Sequence, residues 1–380
     1  MQLVMTHRFY TALSIIGLLS AVGIAIPAFA QDRGETSAET ATTILRGQII
    51  DADTEEPLPA VNIFLSNTTR GTTTDTTGHY SIHLPPGSYE LVVSMVGYET
   101  QHTKIEVSGQ DRVLGRDFQL VEKVVQQEEI TVRAPENTTW WKRYRTFEDQ
   151  FLGSSENSDQ TTIENPYPLE FELTPGGTLV ASCEQPLTIV NQALGYRITF
   201  HLREFAWNEA AGSLQYLGWS FFEALKPDSE QQAEQWAENR RRAYQGSLRH
   251  LMRAMMTGQT QDEGFYVSKD NQITEPPYNE PLEFRTVETS QFISEADQPH
   301  LYRLSFDETL RVIYIGSSKD VFAPLGSRHE DKQVSWLRLK KSEVQIHELG
   351  YLYDPTAIIL RGALGHRRVA DALPKAYVPE

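Results

Sequence analysis

A chain of 380 residues with 39% hydrophobic and 10% aromatic side chains has apolar material for two ordinary packed domains, which excludes wholesale disorder. Its net charge of −17 repels phosphate backbones and anionic lipid, which excludes a general nucleic-acid or membrane-surface binder. Cys183 is the single cysteine, so no intramolecular disulfide forms and the folded parts must stand on their cores.

His7 and Arg8 precede an apolar run from Ala12 to Ile26, followed by Pro27 and the small-residue site Ala28-Phe29-Ala30. A short basic head, an apolar stretch and an A-x-A end describe a cleavable signal peptide over residues 1–30. The run falls short of the roughly 20 residues of a membrane span. No later segment approaches one, so the expectation is an exported chain with no transmembrane helix after cleavage. No cysteine follows the run to carry a lipid anchor. Residues 31–43 are polar and read as a flexible linker.

From Ile44 the hydrophobic period becomes two. Strands are expected at Ile44–Ile50, Ala60–Leu65, Tyr80–Leu84, Tyr89–Val96, Lys104–Val107, Phe118–Leu120 and Ile130–Val132. In the second of these, Val61, Ile63 and Leu65 share a face. Pro57 and Pro59, Asp75 to Gly78, Pro85-Pro86-Gly87 and Gly97 supply the turns. Short strands at regular spacing with no helical pattern mean a β-sandwich over residues 44–134. The ordered motifs Gly47-Gln48-Ile49-Ile50-Asp51, Pro59-Ala60-Val61-Asn62-Ile63, Gly71-Thr72-Thr73-Thr74-Asp75, Gly78-His79-Tyr80-Ser81-Ile82, Pro86-Gly87-Ser88-Tyr89-Glu90-Leu91 and Ser94-Met95-Val96-Gly97-Tyr98 resemble the carboxypeptidase-like regulatory domain. That resemblance implies a transthyretin-like sandwich without catalytic residues, which the expected strands make seven-stranded. It also implies an envelope context in the Bacteroidota, where the domain often precedes TonB-dependent receptors. Glu128 to Val132 looks like the segment that joins the domain to a receptor plug, but residues 137–380 do not read as a plug.

Residues 137–380 read as a second, β-dominated α+β domain. A helix is expected over Asn137–Gly153. An antiparallel meander comes next, with strands at Leu169–Leu173, Gly177–Cys183, Leu187–Val190, Tyr196–Trp207 and Leu214–Phe222. One long helix runs from about Ser229 to Met256, and further strands fall at Phe265–Ser268, Tyr302–Phe306, Leu310–Tyr314, Val334–Leu339, Val344–His347 and Ala357–Leu360. The fold class is therefore mainly β: an N-terminal sandwich followed by a β-rich domain with one long helix. Pro186 to Asn191, Leu194-Gly195-Tyr196, Arg242 to His250 and Asp371 to Pro374 resemble the C-terminal region of exported Bacteroidota proteins that begin with the same module. That resemblance implies architecture and no activity.

His201-Leu202-Arg203-Glu204 is formally H-x-x-E, the first zinc pair of metallocarboxypeptidases, with His300 or His329 as a third ligand. The four residues lie within one expected strand. Positions i and i+3 of a regular strand face opposite ways, so the pair is not expected to hold one ion. No HExxH, G-x-S-x-G, P-loop or dinucleotide fingerprint appears, so no catalytic residue, metal or cofactor is expected. Cys183 shares a face with Leu179 and Ala181 and reads as a small buried hydrophobe.

On the long helix, Trp236, Arg240, Tyr244, Ser247, Leu248, Leu251 and Met255 form a core-facing stripe. Arg240, inside it, needs a buried carboxylate or carbonyl partner. Arg242, Arg249 and Arg253 align opposite, with Arg241 and His250 nearby. They are the candidate patch for an anion or an acidic partner. Gly246 in mid-helix implies close approach by a neighbouring strand. His366-Arg367-Arg368 forms a second basic spot, and Tyr351 to Pro355 a tyrosine-bearing turn. The sequence is thus read as a non-catalytic, exported binding or assembly protein of the bacterial envelope, in the periplasm, at the outer-membrane periphery or on the surface. Its partner would be an envelope protein or a glycan, and the sandwich would act as spacer or docking module. The alternatives are a carbohydrate-binding protein or a hydrolase with a site in residues 137–380.

Overall fold

The computed structural model describes residues 42–107, 112–123, 138–269, 286–298, 300–316 and 333–379. The expected signal peptide, nearly all of the linker, the strand Ile130–Val132 and His329 lie outside the described residues. Strands dominate over helices, so the chain is mainly β, as the hydrophobic period implied.

The first eight strands are β1 (Thr43–Asp51), β2 (Asn62–Leu65), β3 (Gly71–Thr73), β4 (His79–Leu84), β5 (Gly87–Ser94), β6 (Gln101–Val107), β7 (Val113–Gly115) and β8 (Phe118–Leu120). One sheet sets β4 antiparallel to one edge of β1, with β7 and β8 parallel to β1 on the other edge. The second has the order β3-β2-β5-β6. Alternation turns Leu45, Ile49, Ile63, Leu65, Leu91 and Val93 into the shared core. β7 and β8 keep one register along β1 and are separated only by Arg116 and Asp117. Asp117 Oδ1 there accepts the Gln48 N–H at 2.8 Å. Gly47 permits this break, because a Cβ at that position would sit 1.8 Å from the Arg116 carbonyl oxygen.

The rest of the described chain builds three more sheets. Helix α1 (Thr138–Leu152) is amphipathic and buries Tyr144, Phe147, Phe151 and Leu152. It packs with the sheet of β9 (Thr161–Ile163), β10 (Leu169–Leu173), β11 (Thr178–Cys183), β12 (Leu187–Asn191), β13 (Tyr196–Asn208) and β14 (Ser213–Ala224). The expected meander is not realised here. β14 covers the whole of one edge of the 13-residue β13, while β12 and β11 divide the other edge between them. Beyond it come α2 (Glu230–Tyr244), α3 (Leu248–Met256), β15 (Phe265–Lys269), β16 (Ile293–Glu295), β17 (Leu301–Leu304), β18 (Leu310–Tyr314), β19 (Gln333–Leu339), β20 (Val344–His347) and β21 (Ile358–Gly362). They form the sheets β15-β18-β19-β21 and β16-β17-β20, which share a core with α3.

The single long helix is replaced by two. α2 ends at Tyr244, Gly246 takes φ +68°, and Ser247 starts α3 by accepting the His250 N–H at 3.2 Å. Close approach was expected at Gly246, and a Cβ there would lie 2.6 Å from the Tyr314 ring. The left-handed turn was not expected. α2 is tied to the β12–β13 turn by carbonyls. Trp236 Nε1 donates to Gln192 O at 2.7 Å, Asn239 Nδ2 to Ala193 O at 2.7 Å, and Arg240 Nε to Leu194 O at 2.7 Å. Arg240 thus finds the carbonyl partners its buried position demanded.

Ala41–Glu380 form one compact unit, and the sandwich is seated on β14. The loop after β2 donates Asn67 N–H to Ser220 O at 2.6 Å, and Phe222 N–H returns to Thr68 O at 2.9 Å. Beside this seam Phe64, Val92, Trp219 and Phe221 make a small apolar cluster separate from the three main cores.

Candidate functional site

The three arginines singled out by helical spacing do not share a face, because the turn at Gly246 resets the helical count. Arg242 is exposed, reaches back to Asn239 Oδ1 and pairs with Glu156 at 3.4 Å. Arg249 is half-buried and gives its donors to four carbonyls: Leu349 at 3.0 Å, Pro374 at 3.2 Å, Lys375 at 2.7 Å and Tyr377 at 2.5 Å. It clamps the C-terminal segment against α3. Arg253 donates to Tyr244 Oη at 3.1 Å. His250, expected beside them on the polar face, is buried instead. Its Nδ1 accepts the Gly246 N–H at 3.1 Å, so the proton sits on Nε2, 3.0 Å from Glu263. The arginines of the second basic spot are also committed inward, while His366 is exposed: Arg367 donates to Ala243 O at 2.6 Å and Arg368 to Gln150 Oε1 at 2.9 Å.

His201 and Glu204 do not face opposite ways. A bulge between Leu202 and Glu204 inserts Arg203 as an extra residue, which returns Glu204 to the face of His201. The argument from a regular strand therefore fails, and the two side chains have different partners. His201 stacks on Phe64 at 5.4 Å, and burial, helped by the Lys123 charge, pulls its pKa down to about 4. Glu204 accepts from Gln215 at 3.1 Å. His300 is 2.8 Å from Glu348. Among the described residues no group of three His, Cys, Asp or Glu side chains is placed to hold a metal ion. Cys183 packs at the margin of the α1 core, and burial pushes its thiol up to about 11, so it stays protonated.

A cleft of about 2130 Å³ runs along the seam between the sandwich and the rest of the chain. Its walls come from the β4–β5 turn and β5, from β14, from the turn after β20 and from the C-terminal segment. The tyrosine-bearing turn lies here. Leu352 bridges to Ile346 of β20 and packs on the core, so Tyr351 and Tyr353, one residue to either side, project the other way. Lys375 enters from the C-terminal segment, its N–H bonded to Asn67 O of the sandwich at 2.7 Å. Sequence reasoning noted the tyrosines but missed Lys375 and the cleft, which exist only once the sandwich is seated.

Residues 45–132 match the family model of the CarboxypepD_reg-like domain. A stretch of 70 residues is 41% identical to TonB-dependent receptor P39 of Formosa agariphila; it is 18% of this chain and spans only 7% of the receptor. Among solved structures, catechol 1,2-dioxygenase from Acinetobacter is similar at 17% identity and TM-score 0.20, over 27% of this chain and 59% of that one. The C-terminal domain of a shaft pilin from Lactobacillus rhamnosus is similar at 15% identity and TM-score 0.18, over 22% of this chain and 98% of the pilin domain. No described helix is long and apolar enough to cross a membrane. Residues 45–132 thus match a CarboxypepD_reg-like domain, and the family match does not reach the β-rich region that follows.

Proposed function

We propose that this is an exported, non-catalytic binding or assembly protein of the bacterial envelope, and that its ligand is held in the cleft between the CarboxypepD_reg-like domain and the C-terminal segment. The observation that supports this reading is the cleft itself, walled jointly by both parts of the chain. The domain then acts as one wall of a binding site, which is more than a spacer does. The similarity of a 70-residue stretch to part of a TonB-dependent receptor supports the envelope setting.

Hydrogen exchange on the full chain tests it, run with and without a small-molecule extract of the producing cells' envelope. Exchange is expected to slow in residues 85–90, 349–356 and 372–376. Slowing confined to α2, around Arg242, or no slowing anywhere, would remove the cleft as the site. Intact mass of the protein recovered from the envelope fraction is expected to begin at Gln31, and a mass retaining Met1 to Ala30 would overturn cleavable export.

A further inference from the structure

The C-terminal end of the cleft holds an unusual set of unpaired donors. The Tyr351 hydroxyl is buried without a hydrogen-bond partner, and the Tyr353 hydroxyl is buried with only the Ser88 hydroxyl near enough to bond to it. A buried polar atom left unpaired destabilises the fold, and native proteins retain few of them. Lys375 adds a cation. Its backbone is fixed at both ends, the N–H by Asn67 O and the carbonyl by Arg249, so the side chain is directed along the Tyr351 ring, Nζ 5.5 Å from the centroid. Among the described residues the Lys375 ammonium has no hydrogen bond or ion pair, and burial holds its pKa below the ordinary lysine value. The Arg249 guanidinium lies over the same ring at 4.5 Å, and Lys104 Nζ stands 5.5 Å from the Tyr353 ring centroid. Cations on a phenol face draw density from the ring and make its hydroxyl a better donor.

The carboxylates of this end are already engaged. Glu90 faces His102 at 3.2 Å and its charge also reaches Lys375, Glu348 faces His300 at 2.8 Å, and Asp354 accepts from Lys341 at 2.5 Å and from Thr356. Glu106, whose charge also reaches Tyr353, is exposed to water. Donors and positive charge therefore outnumber acceptors here, on a protein whose net charge is −17. We propose that Lys375, Tyr351 and Tyr353 form an oxyanion site, taking the carboxylate or phosphate group of a small ligand; this rests on the reading of the cleft as the binding site. The ammonium supplies the charge and the two hydroxyls fix the orientation, that of Tyr351 finding its partner only when the oxyanion is bound.

Calorimetric titration of the full chain with inorganic phosphate, and separately with acetate, at constant ionic strength tests the site. Binding of phosphate alone assigns a phosphate-type ligand, and binding of acetate alone a carboxylate. Lys375→Met and the double variant Tyr351→Phe/Tyr353→Phe are each expected to weaken binding about tenfold or more, as loss of a charge-assisted hydrogen bond does. The double variant deletes one unpaired hydroxyl and one whose single neighbour is Ser88, so its melting temperature without anion is expected to stay close to that of the parent. It decides the matter even where Lys375→Met does not fold. No binding of either anion, or equal binding by parent and double variant, overturns the oxyanion site. If the envelope extract still protects the cleft in that event, the cleft reading stands and only the ligand class falls. If neither is seen, both fall.

Discussion

The two sheets of the sandwich are built from similar strands and meet different fates. In β4 the burial pattern alternates strictly, with Tyr80, Ile82 and Leu84 inward and His79, Ser81 and His83 in water. In β2 and the second half of β5 both faces are covered. Phe64 is 4% exposed and Val92 0%, although they lie opposite the inward Ile63, Leu65, Leu91 and Val93. Alternation of apolar with polar residues signals a free outer face, and alternation of apolar with apolar signals a covered one. What covers it is the outer face of β13 and β14. His201 and Phe221 lie on Phe64, while Trp219 lies 4.6 Å from the His102 ring. The same module thus has one face that belongs to it alone and one that is completed by the rest of the chain.

That difference is broken most severely by truncating its apolar anchors. Phe64→Ala or Trp219→Ala is expected to cost about 3–5 kcal/mol, the range for large aromatic side chains removed from a packed site. His83→Ala, on the free face, is expected to stay within about 0.5 kcal/mol. Urea denaturation of the three variants checks this. Equal costs for Phe64 and His83 would mean that the seam contributes nothing. The Phe64 variant is also expected to lose the cleft, because the wall formed by β5 is then no longer held.

The seam is also expected to be sensitive to acid. His201 titrates near 6.5 when unfolded and at about 4 when folded, because burial against Phe64 disfavours the imidazolium. Between those values the unfolded chain binds more protons, so stability rises with pH across the window. The contribution is complete above pH 6.5 and disappears as pH falls through about 4. Its full size is at most about 3 kcal/mol. His250 and His347 are shifted in the same direction by burial and add to the same limb, so His201→Gln should flatten only part of it. Melting curves between pH 4 and 7 give the comparison. An unchanged acid limb in His201→Gln would show that protonation of His201 is not what loosens the seam.

Much of this architecture was legible in the sequence, and the exceptions share a cause. The period of two located most strands of the sandwich, though not the three-residue β3 and β7, and most of those beyond it, and the 3.6-residue period located α1, because those signals are local. Phe64 was also visible as an apolar residue on the wrong face of its strand, a sign that passed unread beside Val61, Ile63 and Leu65. Gly246-Ser247 carries its own signal, a left-handed glycine followed by an N-cap serine, which helical counting overran. The roles of Arg249 and Lys375 were not legible. The four carbonyls that Arg249 holds lie 100 to 128 residues away, and Lys375 meets Asn67 of the sandwich. Composition and spacing carry no record of such pairings. The candidate site is made almost entirely of them, so the sequence could name its tyrosines without locating a site.

The smallest expected effect isolates the bulge that sequence reasoning missed. By inserting an extra residue between Leu202 and Glu204, β13 sets the Arg203 guanidinium over the Trp219 ring, 4.7 Å from its centroid. Gly218 pairs with Leu202 at that point, and a Cβ there would be 2.3 Å from the Phe200 ring, so the bulge and the glycine require one another. A guanidinium on an indole face at a partly exposed site contributes about 0.5–1 kcal/mol. Truncating Trp219 removes far more than that, which hides the pairwise contribution in any single variant. A double-mutant cycle of Arg203→Ala with Trp219→Leu separates them, since the second change keeps apolar bulk in the seam and deletes the π face. A coupling of about 0.5–1 kcal/mol is expected from the four denaturation curves. Zero coupling would mean that Arg203 rests on Trp219 without holding it, and that the seam is fastened by its apolar contacts and the Asn67 and Thr68 backbone bonds alone.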